Sequence, residues 1–187
     1  HCVTRRQRQM CIRDRSESVI IKELDIETSD GFMNSYFLRP KSKGSLPGVI
    51  VYMPASGIRD ELVDIASQIA KLGYAVILPN LYYRLARTVD IDANRLGTDE
   101  YLGVQNYMIS LADHLSNEKV QSDTAAIIHW MDSQVAISSK RIGGVGYCMG
   151  GRLVMASLGA HSDRMFAAAS LYGAGVATDQ ADSPHLQ

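Results

Sequence analysis

The chain has 187 residues, of which 46% are apolar and 21% charged, and its formal net charge is −1. That length and composition suit one soluble globular domain able to bury a core of useful size. The small net charge gives no electrostatic case for a nucleic-acid or anionic-membrane partner, and no apolar run approaches the roughly 18–20 residues that a membrane-spanning helix needs.

Residues 1–15 stand apart from the rest of the chain. They carry Arg5, Arg6, Arg8, Arg13 and Arg15 against the single acid Asp14, without an apolar period. They read as a non-native or disordered leader, and residues 16–187 as the N-terminal part of one domain. Cys2 and Cys11 fall in that leader, which leaves Cys148 alone in the domain. A lone cysteine forms no internal disulfide, and no Cys/His group has metal-ligand spacing. Neither a metal nor another cofactor is expected, and a reducing, cytoplasmic compartment fits best.

From Val19 the pattern becomes regular. Val19 to Ile26 reads as a strand, Ser29-Asp30-Gly31 as a tight turn, and Phe32 to Leu38 as a second strand closed by Arg39-Pro40. Two strands joined in this way predict an antiparallel hairpin. After a polar loop to Pro47, Val49 to Met53 is a continuous apolar strand, as expected of a sheet covered on both faces. Pro54-Ala55-Ser56-Gly57 is a loop. Asp60 to Leu72 has helical spacing with one apolar face, closed by Gly73. Tyr74 to Leu78 is a buried strand stopped by Pro79-Asn80. Leu81 to Tyr101 reads as a long surface loop with a turn of helix, and Tyr101 to Leu115 as a helix. Glu118 to Val135 is a helix whose stripe is Val120, Thr124, Ile127, Ile128, Met131 and Val135. Strand Ile142–Tyr147, helix Gly150–Ala160 and strand Phe166–Tyr172 complete the series. Strands alternating with helices imply a parallel sheet with right-handed crossovers, so the expectation is an α/β fold, mostly parallel, with an N-terminal antiparallel hairpin.

Chemistry in such a sheet gathers at the carboxyl ends of the strands. Gly146, Cys148 and Gly150 form G-x-C-x-G between a strand and a helix, the cysteine version of the nucleophile elbow. Glycine is needed two positions to either side because side chains there collide across the sharp turn. The elbow makes Cys148 the candidate nucleophile. The Met149 N–H, at the start of the helix, is a candidate oxyanion donor, and a second comes from the loop around Ala55. Two blander readings compete. A lone cysteine is commonly mere core, and a dinucleotide loop starting at Gly144 would need glycine where Met149 stands.

These residues resemble the dienelactone hydrolase family of α/β-hydrolases. The likeness runs from about Ser29 to Gly175. It includes Asp30-Gly31, Arg39-Pro40, Leu72-Gly73-Tyr74-Ala75-Val76 and Leu78-Pro79-Asn80-Leu81-Tyr82, and above all Gly146-Tyr147-Cys148-Met149-Gly150-Gly151 and Leu171-Tyr172-Gly173. The resemblance implies an α/β-hydrolase-type sheet and cleavage of a small-molecule ester or lactone through a Cys–His–Asp triad. It matches Cys148 to the nucleophile and Arg84 to an arginine that binds a substrate carboxylate. Tyr172, at the end of the last strand, is a candidate pocket residue.

This sequence departs from the family in two places. Pro54 stands where the family's lactonases carry a glutamate that partners the thiol. The triad acid and base follow the elbow by several tens of residues in the family, whereas Asp179, Asp182 and His185 come too early for those roles. His114, His129 and His161 read as helix-surface or loop residues. The expectation is therefore a domain incomplete at its C-terminus, with the triad Asp and His outside this chain. Two alternatives remain open: a non-catalytic α/β binding protein, and a relative of flavodoxin-like amidotransferases or chaperones that also place cysteine on a strand–helix turn.

Overall fold

The computed structural model describes residues 18–41, 44–89 and 91–186. The leader at 1–15, with Cys2 and Cys11, lies outside the described residues. The hairpin forms as expected. Strands β1 (Val19–Thr28) and β2 (Gly31–Pro40) pair antiparallel from Val19 opposite Pro40 to Thr28 opposite Gly31, leaving Ser29 and Asp30 as the turn. Thr28 Oγ1 accepts the Asp30 N–H and donates to the Gly31 carbonyl, and Gly31 takes a φ of 128° that a side chain rarely tolerates. On β2, Met33, Ser35 and Phe37 alternate inward, the period of a strand with one covered face.

Strands β3 (Leu46–Tyr52) and β4 (Ala75–Pro79) pair parallel and are nearly continuously buried. Between them runs α1 (Asp60–Lys71), which buries Leu62, Val63, Ala66 and Ala70. It carries Asp60 and Glu61 in its first turn and Lys71 in its last, matching the helix dipole. Helices α2 (Leu102–Asp113) and α3 (Asn117–Asp132) lead to β5 (Ile137–Tyr147), α4 (Met149–Ala160) and β6 (Met165–Leu171). Among the described residues, no helix is long and apolar enough to cross a membrane.

Three expectations need correction. The segment from Leu81 to Tyr101 is not simply a surface loop. It buries Leu81, Tyr82, Tyr83, Val89, Ile91 and Tyr101, while the helical turn expected there forms as two short 3₁₀ turns, Ala93–Arg95 and Asp99–Tyr101. Helix α3 ends at Asp132 rather than continuing to Val135. A turn in which the Gln134 N–H donates to the Met131 carbonyl leaves Val135 exposed. Strand β5 starts at Ile137 rather than Ile142: Pro47 pairs with Ser138 but Gly48 pairs with Ile142, so the residues between bulge from the ladder. The polar run at that bulge hid the early start of the strand.

The sheet order is β1-β2-β4-β3-β5-β6, with β2 antiparallel to β4 and the pairs β4–β3, β3–β5 and β5–β6 parallel. An antiparallel hairpin beside the parallel strands does not fit the flavodoxin-like alternative, whose sheet is parallel in the order 2-1-3-4-5. From β3 the chain crosses outward to β4, and from β5 it crosses the opposite way to β6. Right-handed crossovers in opposite directions put α1 on one face and α3 and α4 on the other. The switch point falls between neighbours β3 and β5, where ligands of open α/β sheets bind. The loops at those two carboxyl ends carry Ala55 and Cys148. At the far edge, β6 leaves Phe166 55% exposed, and only Met165 of that strand is buried.

Candidate functional site

Cys148 occupies one residue between β5 and α4 at φ 52° and ψ −117°, a conformation that L-residues rarely adopt. Its thiol is free and exposed. The backbone on both sides is held by the end of β6 and the segment after it. The Cys148 N–H donates to the Leu171 carbonyl at 3.0 Å, and the Cys148 carbonyl accepts from the Ala174 N–H at 3.2 Å and the Gly151 N–H at 2.9 Å. The glycine requirement is visible at close range. A Cβ on Gly146 would strike the Gly150 carbonyl, and one on Gly150 would strike the backbone oxygen of Tyr52. The second contact shows how tightly the elbow lies against the end of β3. Gly146→Ala is expected to cost about 3 kcal/mol or more, since backbone rather than a flexible side chain must give way. Gly143→Ala, on the same strand, meets only ordinary contact with Val49 at 3.6 Å and should be nearly neutral. Urea unfolding of the two variants checks this contrast.

Met149 is the first residue of α4, where N–H groups find no partner inside the helix. The loop after β3 is a turn in which the Gly57 N–H donates to the Pro54 carbonyl at 2.9 Å, with Gly57 at φ 78°. Ala55 is the second residue of that turn. One side chain joins the two candidate donor segments. The Tyr82 hydroxyl donates to the Ala55 carbonyl at 2.9 Å and lies 3.7 Å from the Met149 sulfur. Tyr82 is 1% exposed. Burial, and next the charge of the nearby Cys148, push its phenol pKa above the ordinary value.

Arg84 has protein carboxylates for partners. Its two terminal nitrogens meet the Asp123 oxygens at 2.8 Å each, and its Nε meets Asp30 at 2.6 Å. The guanidinium also lies 4.5 Å over the Tyr83 ring, and the Tyr83 hydroxyl donates to Asp123 at 2.9 Å. The Arg84 side chain is only 10% exposed and that of Asp123 is 0% exposed. Burial works against the Arg84 charge, but the bonds from Asp123 and Asp30 outweigh it and raise its pKa. Burial pushes the Asp123 carboxyl up against the pull of Arg84 and Tyr83. Here the guanidinium ties the loop after β4 to α3 and to the hairpin turn.

The remaining candidates are dispersed. Tyr172 takes a φ of 54° just after β6 and is 93% exposed. Its backbone neighbours Leu171 and Ala174 hold Cys148, while its side chain stands open. His161 shares a 2.8 Å hydrogen bond with the Gln121 carbonyl, and His185 one of 2.8 Å with the Ser183 hydroxyl. His114 caps the end of α2 and His129 lies in the last turn of α3. Among the described residues no histidine is hydrogen-bonded to Cys148, and no group of three or more His, Cys, Asp or Glu could hold a metal ion. Sequence reasoning missed Tyr82 and Asp123. The apolar run through Leu81 and Tyr82 was the available signal for the first. Asp123 sits on the core side of α3, next to Thr124 on the predicted stripe.

Comparison with known proteins gives a consistent result. The profile of the dienelactone hydrolase family matches residues 33–187. A candidate carboxymethylenebutenolidase of Methylorubrum extorquens is 26% identical over 165 residues, covering 88% of this chain and 53% of that protein. Another from Synechocystis is 30% identical over 141 residues, covering 75% of this chain and 54% of that protein. The chain thus spans about half the length of these curated relatives. The crystal structure of a candidate dienelactone hydrolase from Klebsiella pneumoniae superposes with a TM-score of 0.71 at 26% identity, covering 90% of this chain and 65% of that one. The fold is that of the α/β-hydrolases.

Proposed function

This chain belongs to the dienelactone hydrolase family, and from that membership we propose that it is part of a hydrolase that opens a small ester or lactone through Cys148. The observation that carries the proposal is the Cys148 conformation itself. A reactive side chain is held exposed at a strained strand–helix turn, at the sheet's topological switch point. A core cysteine would be buried in relaxed backbone.

The thiolate sulfur attacks the carbonyl carbon, forming a C–S bond and a tetrahedral oxyanion. The N–H groups of Met149 and Ala55 receive that oxyanion. Its collapse breaks the C–O bond, and the alkoxide takes from solvent the proton that the thiol gave up, leaving as the alcohol from an ester or staying as a hydroxyl on the acyl chain of an opened lactone. Water then cleaves the thioester and restores the thiol. No general base or orienting acid is assigned among the described residues. Proton transfer by such groups contributes about 10²–10⁴-fold, so slow turnover is expected of this chain by itself. Tyr172 is proposed to line the mouth of the site. With Arg84 committed to Asp123 and Asp30, the acyl group is proposed to be uncharged.

The proposal is tested by mixing the protein with p-nitrophenyl acetate. One equivalent of p-nitrophenolate, with acetyl on the Cys148 peptide, supports it; an unlabelled Cys148 sinks it. The uncharged acyl group is tested separately by alkylating Cys148 with iodoacetamide and with iodoacetate. No preference for the anionic reagent is expected, and a marked preference would restore a cationic subsite.

A further inference from the structure

We infer that Tyr82 is a positioning residue for the oxyanion site, fixing through its hydroxyl the peptide planes of the turn that carries one of the two donors. The inference rests on the cysteine–ester reading above and goes beyond it to a residue that reading leaves unused.

A peptide unit is planar and trans, so its carbonyl and N–H point in opposite directions. In the Pro54–Gly57 turn the Pro54 carbonyl accepts the Gly57 N–H. The Ala55 N–H, on the opposite edge of that same peptide, is therefore turned outward. The next plane is set by the Ala55 carbonyl, which accepts the Tyr82 hydroxyl at 2.9 Å. Without that bond the Ala55–Ser56 peptide loses the hydrogen bond that fixes the direction of its carbonyl. The same hydroxyl lies 3.7 Å from the Met149 sulfur, so Tyr82 spans the turn on one side and the elbow on the other.

Tyr82 is itself held from behind. Its N–H donates to the Asn80 side-chain oxygen at 3.1 Å. The Asn80 amide donates to the Asn34 side chain at 3.0 Å and to the Ala86 carbonyl at 2.8 Å. The neighbouring Tyr83 and Arg84 are bound to Asp123. The ring is thus the tip of a braced loop, and a buried phenol with its proton committed to one carbonyl is suited to hold geometry rather than to transfer a proton.

Tyr82→Phe keeps the ring and removes only the hydroxyl. The test compares two reactions of the same thiol in this chain. Acetylation by p-nitrophenyl acetate passes through a tetrahedral oxyanion: a C–S bond forms, the aryl C–O bond breaks, and p-nitrophenolate leaves. Alkylation by iodoacetamide is displacement at a saturated carbon, in which a C–S bond forms and iodide leaves without any oxyanion. Single-turnover rates at Cys148 are followed by peptide mass, separately from Cys2 and Cys11. Acetylation should slow by about 10-fold in Tyr82→Phe, less than the roughly 10²–10³-fold that outright loss of an oxyanion donor costs, while alkylation stays unchanged. Tyr83→Phe, whose hydroxyl meets Thr28 and Asp123 instead, should leave the ratio of the two rates as it was. Equal slowing of both reactions in Tyr82→Phe would show a merely structural or thiol-level effect and overturn the inference, as would unchanged acetylation. If the unsubstituted chain is alkylated but never acetylated at Cys148, the ester reading fails first and takes the inference with it.

Discussion

Cys148→Ala is expected to remove one equivalent from the p-nitrophenolate burst while leaving the stability of the domain within about 0.5 kcal/mol. The two halves of that expectation have separate causes. The thiol is the strongest nucleophile at the elbow, because burial pushes the neighbouring Tyr147 phenol above its ordinary pKa and keeps it protonated. The flanking glycines carry no side chain, and Met149 offers only a thioether and its backbone N–H. The side chain also supports nothing structural: it makes no capping bond to α4 and its sulfur is exposed. Alanine carries the same Cβ at φ 52°, so no new backbone strain is introduced. Burst amplitude and thermal midpoint, measured on one preparation, check both halves. A residual burst of full amplitude would remove Cys148 from the chemistry, and a large fall in midpoint would make it a structural residue.

Asp123→Ala is expected to destabilise the domain by about 3 kcal/mol, within the roughly 3–5 kcal/mol typical when one partner of a buried ion pair is removed. The lower end applies because Asp30 still faces Arg84 after the change. For a domain of this size the loss corresponds to a fall in midpoint of roughly 6–12 °C. Most of it comes from leaving a desolvated guanidinium with too few acceptors, rather than from losing a strong net attraction. Burial already raises the Asp123 pKa despite Arg84 and Tyr83, so ionising it in place is costly. The double substitution Arg84→Met with Asp123→Leu should therefore cost less than Asp123→Ala alone, which a double-mutant cycle measures. Additive losses would contradict that expectation.

The outer partner, Asp30, has its carboxyl shifted the opposite way from Asp123, and this gives a pH dependence. The hydrogen bond from Arg84, and then its charge, hold the Asp30 carboxyl below the ordinary 3.8. The tie between the hairpin turn and the loop after β4 is therefore fully present above that pH. It is lost as pH falls through the lowered value.

How far the sequence could be read depended on the range of the interactions involved. The hairpin was legible because Ser29-Asp30-Gly31 specifies its own geometry within a few residues. The elbow was legible through Gly146, whose clash with Gly150 arises between near neighbours along the chain, whereas Gly150 is demanded by the distant end of β3. Helix α3 was read correctly along its buried stripe but not at its end, where a two-residue turn decided the fate of Val135. Arg84 illustrates the limit. Its position in the resemblance suggested a ligand-binding charge, and nothing in the local pattern announced its pairing with Asp123, 39 positions later in the chain.

By itself, then, the sequence determined the alternation of strands and helices, the antiparallel start and the strained cysteine between glycines. Each is a local consequence of periodicity or of steric exclusion across a turn. The tertiary structure alone decided that β3 and β5 lie side by side at the switch point. It also decided that the elbow presses on the end of β3 and that Tyr82 bridges Ala55 and Met149. Those relations join residues tens of positions apart, and nothing in the local pattern encodes them. They are set by crossover handedness and by the need of buried polar groups at the carboxyl ends of the strands to find partners.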